Sequence, residues 1–214
     1  MARAAGQVEV AKAARTRARV QRRRRQILDA ATELMSKNGF HAMSMQSVAD
    51  RGGISVGLIY QYFGNKDDLL VAVIQDILED FRDQVPQAIE VAARSSDGDP
   101  VARFKAAFDA CCRIVAAKRD AVTLTYRESA TLPAEGLARI KQLELQIGEP
   151  IREVFRDGVR AGVFTGADER LVVQNLLLAA HAWALKYWNL GQFLTVDEYV
   201  DQQFELLLGA VRVP

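Results

Sequence analysis

The side chains with the most evident chemistry are arginines, and they are concentrated at one end of the chain. Residues 1–25 contain nine Lys and Arg against one Glu, whereas residues 67–214 carry a net charge of −7. A cluster of positive charge attracts a polyanion such as nucleic acid by steering and counterion release, and it repels cations. The charge distribution therefore predicts nucleic-acid binding at the N-terminal end, with a solvated disordered tail as the alternative.

Sequence patterns that support catalysis are missing. The chain has no P-loop, no dinucleotide-binding glycine pattern, no GxSxG and no HExxH. Its two cysteines, Cys111 and Cys112, are adjacent, which gives neither a disulfide framework nor a zinc motif, although redox sensing by one of them stays open. His41 and His181 are distant in sequence and do not provide three or four metal ligands. We expect no enzymatic activity, no cofactor and no metal.

Length and composition indicate a folded protein that does not enter a membrane. The chain has 214 residues, of which 50% are hydrophobic and 26% charged, enough to bury a substantial core. It has no run of eighteen apolar residues, and no apolar block follows the N-terminal arginines. We therefore expect a cytoplasmic protein with neither a membrane span nor a secretory signal.

Apolar residues recur at spacings of three and four, which predicts an all-α fold. The first helix is expected from about Arg22 to Asn38, two short helices follow Ser44 and Ser55, and a fourth begins at Lys66. Further helices are expected over residues 100–117, 120–130, 134–161, 168–190 and 196–212. Asp99 followed by Pro100 looks like the N-cap and first residue of the first of these, and Thr195 with Glu198 is a capping box that starts the last. The predicted domains are a basic arm (1–21), a helix-turn-helix bundle (22–66) and a larger helical domain (67–214).

Residues 44–62 have the spacing of a helix-turn-helix, with Gly52-Gly53 between two helices of about two turns each. In that motif the second helix lies in the DNA major groove. Such short helices are unstable alone, so their apolar side chains must pack on the first helix. Gly57 costs about 1 kcal/mol of helix stability relative to alanine, which makes sense where the backbone approaches DNA closely. The residues left facing outward are Ser55, Val56, Gly57, Tyr60 and Gln61.

Over residues 22–70 the sequence resembles the TetR family of bacterial transcription regulators. The run from Ile54 to Leu70, with its Gly, Tyr, Tyr-Phe and Asn-Lys-Asp-Asp-Leu elements in register, looks like the signature of that family. The resemblance implies that Tyr60 and Lys66 contact DNA phosphates, while Val56 replaces a residue that is often Lys or Arg and could touch a thymine methyl group. For Tyr62, core packing is the preferred alternative to a DNA contact. The remaining candidate DNA contacts are Arg22, Arg23, Ser44, Gln46, Ser55, Gly57 and Gln61.

The larger domain is predicted to dimerise and to bind a small molecule. The resemblance implies that the last two helices form a four-helix dimer interface. The two helix-turn-helix bundles of such a dimer would bind a palindromic operator with half-sites about 34 Å apart or a multiple of it. Its segments 126–144 and 158–164 are similar to TetR members that sense acyl-CoA. Candidate ligand contacts, with ordinary core packing as the alternative, are Phe108, Cys112, Tyr126, Arg127, Phe155 and Trp183. Arg127 is expected among apolar residues, where a base is costly unless it is paired or held for an anionic ligand, and pairing elsewhere in the fold is the preferred alternative.

Together these features predict a homodimeric, ligand-responsive repressor that a small apolar or acyl-CoA-like effector releases from double-stranded DNA. The alternative is an architectural or non-specific DNA-binding protein, which the basic arm favours. Such a protein would leave an acidic domain of about 148 residues without a role. Competition with excess random DNA separates the two hypotheses, because only a sequence-specific regulator keeps its affinity.

Overall fold

The computed structural model describes the backbone of residues 2–213 and the side chains of residues 14–213. Over that part of the chain the fold is all-helical, which confirms the predicted class, with one isolated bridge between Phe164 and Arg212. A 3₁₀ turn spans Ser129–Thr131. The helices are α1 (Ala2–Asn38), α2 (Met45–Gly52), α3 (Val56–Phe63), α4 (Lys66–Ser95), α5 (Pro100–Ala117), α6 (Arg119–Glu128), α7 (Ala134–Arg160), α8 (Glu169–Leu185), α9 (Tyr187–Leu190) and α10 (Val196–Val211).

The first helix is much longer than its apolar pattern predicts. It begins at Ala2, whereas the expected start was Arg22, so the predicted basic arm is helical backbone continuous with α1. The reason is composition: the segment is rich in Ala and Arg, both strong helix formers, and contains no proline. Apolar spacing marks only the part of a helix that packs, and the first buried side chain is Ile27. The arm's Arg3 and Lys12 lie outside the residues whose side chains are described.

The chain divides into two compact units, residues 1–73 and 74–214. In the first unit, α2 packs on α1 and α3 packs on α2. Two polar contacts add to the apolar packing between α1 and α2: Gln26 Nε2 donates to the Gly52 carbonyl, and Arg51 Nε donates to Glu33 at 2.7 Å. The core of this unit contains Ile27, Leu28, Ala31, Met35, Val48, Ala49 and Ile59.

In the second unit, α8 packs against α5, α6, α7 and α10 around a core rich in aromatic rings. The rings of Phe155 and Phe164 stack with centroids 5.4 Å apart, and Phe104 contacts both. A Cβ on Gly158 would lie 2.1 Å from the Phe164 ring, so this position of α7 must lack a side chain.

Local end signals fix several helix boundaries in this unit. Asp99 caps α5 and Pro100 is its first residue, as predicted, and Thr195 and Glu198 form the predicted capping box of α10. One expected helix, 168–190, is divided instead. The backbone leaves helical geometry at Lys186 (φ −119°), and α9 follows, with the Tyr187 ring packed against Trp183 and beneath the Arg119 guanidinium. Among the described residues, none of the helices is both long and apolar enough to cross a membrane.

Candidate nucleic-acid interface and effector domain

A tight turn sets the angle between α2 and α3. Ser44 caps α2 by accepting from the Ser47 backbone N–H, and Ser47 returns the interaction at 3.0 Å. The helix ends on Gly53, whose φ of 62° is the left-handed conformation that glycine adopts without steric cost. Ser55 then caps α3 by accepting from Leu58 N–H at 3.3 Å. The helix-turn-helix expected over residues 44–62 is therefore present.

The outward face of α3 carries the side chains predicted to lie there. Ile59 is fully buried against the bundle, whereas Ser55, Gly57, Tyr60 and Gln61 are exposed, with Tyr60 at 51%. Val56 is half-buried and offers an apolar edge beside them. Side chains of this kind at the start of a recognition helix can meet phosphates and base edges.

Gly57 stands in the first turn of α3 with open space around it. A Cβ built on this residue meets no atom within 4 Å, and its backbone φ is not positive. Among the residues whose side chains are described, neither packing nor turn geometry requires glycine there. The missing side chain leaves the backbone of α3 accessible to an external surface.

The aromatic pair at the end of α3 has a mainly structural setting. Phe63 is buried and Tyr62 is half-buried, with their ring centroids 6.1 Å apart. The placement of Tyr62 agrees with the core-packing alternative, and its exposed part still borders the outward face.

Two of the predicted contacts already have partners within the protein. The Ser44 hydroxyl caps α2, and Gln46 Nε2 donates to Asp50 Oδ1 at 2.8 Å. Gln46 is exposed, so its amide could exchange that carboxylate for a base edge. Gln61 is likewise exposed and is the better-placed glutamine, since it projects from α3 itself.

Lys66 is held at the start of α4 by residues that sequence reasoning overlooked. Its Nζ donates to the His41 carbonyl at 3.0 Å and lies 4.6 Å from the centroid of the Phe40 ring. Because an ammonium group has three N–H donors, this arrangement orients Lys66 and leaves donors for a phosphate oxygen. His41 therefore acts through its backbone, a role that no side-chain pattern could reveal.

The two arginines predicted to contact DNA from α1 are both exposed. Arg23 Nη1 donates to the neutral amide oxygen of Gln26 at 2.9 Å, so its charge is not cancelled by that contact. Arg22 lies one residue earlier on the helix, also exposed to solvent.

The predicted effector contacts fall into buried and exposed groups. Phe108, Cys112, Phe155 and Trp183 belong to the buried core of the second unit, where Phe108 stacks on Phe204 and Trp183 packs against Tyr199. Tyr126 and Arg127 are exposed. The placement of the four buried residues agrees with the core-packing alternative.

Arg127 differs from the expectation of a base among apolar residues. Its side chain is 46% exposed and its Nε donates to Glu128 Oε1 at 2.8 Å. The desolvation argument for this residue was therefore wrong, because α6 turns position 127 toward solvent and places the neighbouring Glu128 in the buried layer.

A contact between distant residues joins α6 to α8. The Tyr126 hydroxyl lies 2.8 Å from His181 Nδ1, and the His181 ring meets Phe81 of α4 edge-to-face at 5.9 Å. Burial lowers the pKa of His181 to about 4, so the imidazole is neutral at pH 7. Burial, with the nearby Glu144 carboxylate, also raises the pKa of Tyr126. The pair therefore joins an exposed tyrosine to a largely buried, neutral histidine.

The cysteines have the environment of inert core residues. Cys111 and Cys112 are fully buried, and burial raises the pKa of both thiols. Redox sensing requires an accessible thiolate, which this setting disfavours. Across the described part of the chain no three His, Cys, Asp or Glu side chains are grouped as metal ligands would be.

Two family models match this chain. The model described as "Bacterial regulatory proteins, tetR family" matches residues 27–73, and "Tetracyclin repressor-like, C-terminal domain" matches residues 97–211. The chain is also similar over most of its length to the HTH-type transcriptional regulator HbdR of Aromatoleum sp. (strain CIB). It is 35% identical over 189 residues, which are 88% of this chain and 80% of the relative.

Solved structures share the fold. Bacillus subtilis FadR in complex with stearoyl-CoA matches with a TM-score of 0.72 at 21% identity, over 86% of this chain and 96% of that one. AibR in complex with isovaleryl coenzyme A and operator DNA matches with a TM-score of 0.72 at 24% identity, over 87% and 98%. At these identities the likeness establishes the all-helical fold.

Proposed function

Because the chain belongs to the TetR family and is a DNA-binding transcriptional regulator, not an enzyme, we propose that it is a homodimeric repressor released from a palindromic operator by an acyl-CoA-like effector. Residues 22–66 read the operator, and residues 67–214 bind the effector and dimerise. The observation that carries the proposal is the open face at the start of α3, where Gly57 leaves the backbone bare between exposed polar side chains.

In this proposal one set of side chains positions the protein on the DNA backbone and another set recognises the base sequence. Tyr60, Lys66, Arg22 and Arg23 bind phosphates and fix the register of the protein on the duplex. Gln61 and Ser55 reach base edges, and Gln61 can bind adenine through two hydrogen bonds. Val56 supplies apolar contact to a thymine methyl group. Ser44, Gln46 and Tyr62 border this surface.

An uncharged surface on α8 and α10 supports the proposed dimer. Residues 171–185 contain no Asp, Glu, Lys or Arg, yet Leu171 and Leu178 of this stretch are exposed. On α10, Leu206 is 70% exposed and is followed by the exposed small residues Gly209 and Ala210. Charge-free exposed helix faces of this kind are typical of an obligate interface. A second copy of the chain covers them in a two-fold arrangement.

The effector is an acyl thioester with an apolar tail and an anionic head. The aromatic residues Phe108, Phe155 and Trp183, with Cys112, supply apolar surface in the second unit. The neutral Tyr126–His181 pair offers a hydrogen bond to a carbonyl oxygen, and the exposed Arg127 can meet a phosphate without a large desolvation cost. The FadR and AibR structures are complexes of those proteins with stearoyl-CoA and isovaleryl coenzyme A.

Release of labelled operator tests the proposal. The complex is formed with an operator duplex selected from a random pool and is challenged with excess random DNA, which a non-specific binder would not survive. Acyl-CoAs of increasing chain length are then added, with coenzyme A and the free acids as controls. Release by one chain-length class is expected, and it weakens in Tyr126→Phe and Arg127→Gln. A complex that no acyl-CoA dissociates, and a protein that binds none in calorimetry, would remove this effector class.

A further inference from the structure

We propose that the helical extension of α1 is a second DNA-contacting element, in which Arg15, Arg19 and Arg22 bind phosphates of the duplex that flanks each operator half-site. The inference deepens the proposed function, since it requires the helix-turn-helix to be seated on DNA. The element is residues 14–25, the part of α1 that carries described, solvent-facing arginines before the helix begins to pack at Gln26 and Ile27, and it is called the basic extension.

Helical geometry puts three arginines of the basic extension on one face. Arg15, Arg19 and Arg22 are separated by four and three residues, the spacing that stacks side chains along one side of a helix. All three are exposed. Arg17 stands nearly opposite, since two residues correspond to a rotation of about 200°.

The same face continues into the packed part of α1, where the contacts of two side chains show which part of the bundle the face is turned toward. Gln26 follows Arg22 by four residues, and Glu33 follows Gln26 by seven, so both lie in line with the arginines. Gln26 donates to the carbonyl of Gly52, and Glu33 accepts from Arg51. The arginine face therefore lies on the side of α1 that meets the end of α2 and the turn into α3.

That turn leads directly to the DNA-reading end of the motif. Gly52 is followed within three residues by Ser55, the N-cap of α3, and the first turns of a recognition helix are the part that approaches base edges. A duplex bound at the start of α3 therefore lies beside the Gln26 end of the arginine face. The chemistry of that face favours phosphate: its exposed guanidinium groups bind oxyanions, and the apolar side chain that lies among them, Ala18, is too small to anchor a protein core.

The length of the extension sets how far the contact reaches. From Gln26 to Arg15 the helix rises about 16 Å at 1.5 Å per residue. At 3.4 Å per base pair this corresponds to about five base pairs of flanking duplex. These contacts are independent of sequence because they involve the phosphate backbone only. We therefore expect the protein to protect duplex beyond the bases read by α3.

Fluorescence anisotropy on two lengths of duplex tests the inference. One duplex carries the selected operator with ten flanking base pairs on each side, and the other ends at the half-sites. On the long duplex, Arg15→Gln/Arg19→Gln/Arg22→Gln is expected to bind at least tenfold more weakly than wild type. Its slope of log affinity against log salt should also fall by about 3 per protomer. On the short duplex the triple variant should bind as Arg22→Gln alone does, because Arg22 also contacts operator phosphates whereas Arg15 and Arg19 have no flanking duplex to reach.

A matched control separates a helix face from diffuse charge. Arg19→Gln and Arg17→Gln remove the same charge two residues apart on opposite faces, and both are exposed. Only Arg19→Gln should lower the slope, by about 1 per protomer. Equal effects of the two variants, or a triple variant that binds the long duplex like wild type, overturn the inference while leaving operator binding intact. An equal, Arg19-dependent affinity for single-stranded RNA also overturns it. If wild type shows no operator preference at all, the proposed function fails instead.

Discussion

Replacing Gly57 by alanine should make the protein more stable and a weaker DNA binder. A new Cβ at this position meets none of the described atoms within 4 Å, so the substitution causes no clash with them. Alanine in place of glycine within a helix stabilises by about 0.5–1 kcal/mol, since the unfolded chain loses conformational freedom. For a chain of this size, 1 kcal/mol raises the melting temperature by about 2–4 °C.

The effect of the same methyl group on DNA binding has the opposite sign. If the α3 backbone approaches the duplex at Gly57, the methyl group holds the two surfaces apart and disrupts at least one base contact. Such a contact is worth about 1–3 kcal/mol, or roughly 5- to 150-fold in affinity. Thermal unfolding measured by circular dichroism gives the first quantity, and anisotropy with the selected operator gives the second.

A second glycine provides the control for the stability measurement. Gly158→Ala places a Cβ 2.1 Å from the Phe164 ring, so it should destabilise the protein by about 1–3 kcal/mol through overpacking. If Gly57→Ala instead binds the operator with unchanged affinity while its melting temperature rises, the start of α3 does not face DNA. A fall in melting temperature for Gly57→Ala would show that the space around it is filled.

Three further substitutions or titrations test other parts of the structure. Lys118 Nζ lies 2.7 Å from an Asp76 carboxylate oxygen and 2.6 Å from one of Asp80. Because Lys118 and Asp76 are largely buried, Lys118→Met should lower the free energy of unfolding, measured in urea, by about 2–3 kcal/mol. The control Lys105→Met breaks an exposed ion pair with Asp201 and should lower it by less than about 1 kcal/mol. Equal costs would refute this distinction. The pKa of His181 is lowered from 6.5 to about 4, so between these values the unfolded chain binds a proton that the folded chain does not, and stability falls as the pH drops. Between pH 7 and pH 5, His181 should lower the free energy of unfolding of wild type by about 2 kcal/mol, a loss that the His181→Asn variant should not show. Parallel pH profiles of stability for the two proteins would contradict the assignment. Cys111 and Cys112 are buried with raised thiol pKa values, so a thiol-specific chromogenic reagent should label neither in the native protein at pH 8 and both in urea. Rapid labelling of the native protein would reopen redox sensing.

Features encoded by neighbouring residues were predictable from the sequence. The caps at Ser44, Asp99 and Thr195 depend on a side chain and a backbone N–H two or three residues later, and each was predicted correctly. The outward face of α3 followed from helical spacing, because burial of Ile59 turns Ser55 and Tyr60 to the other side.

Features that depend on distant or unpacked residues were not predictable in this way. The Tyr126–His181 contact joins residues 55 apart, and Lys118 reaches Asp76 across 42 residues, so no local spacing indicates either pair. The orientation of Lys66 depends on a backbone carbonyl, that of His41, which has no sequence signature. The helical conformation of the basic extension was missed for a different reason. Apolar periodicity reveals helices that pack, whereas this segment has a composition that favours a helix but no packed face.

Selection from a random duplex pool with the purified full chain, combined with the stoichiometry of the selected complex, tests most directly whether the outward face of α3 reads DNA in a symmetric pair of subunits. We predict enrichment of an inverted repeat, bound by two copies of the chain, in which the Gln61→Ala variant loses preference at one position of each half-site. A pool that stays random, or a selected site without two-fold symmetry bound by a single copy, would contradict the account.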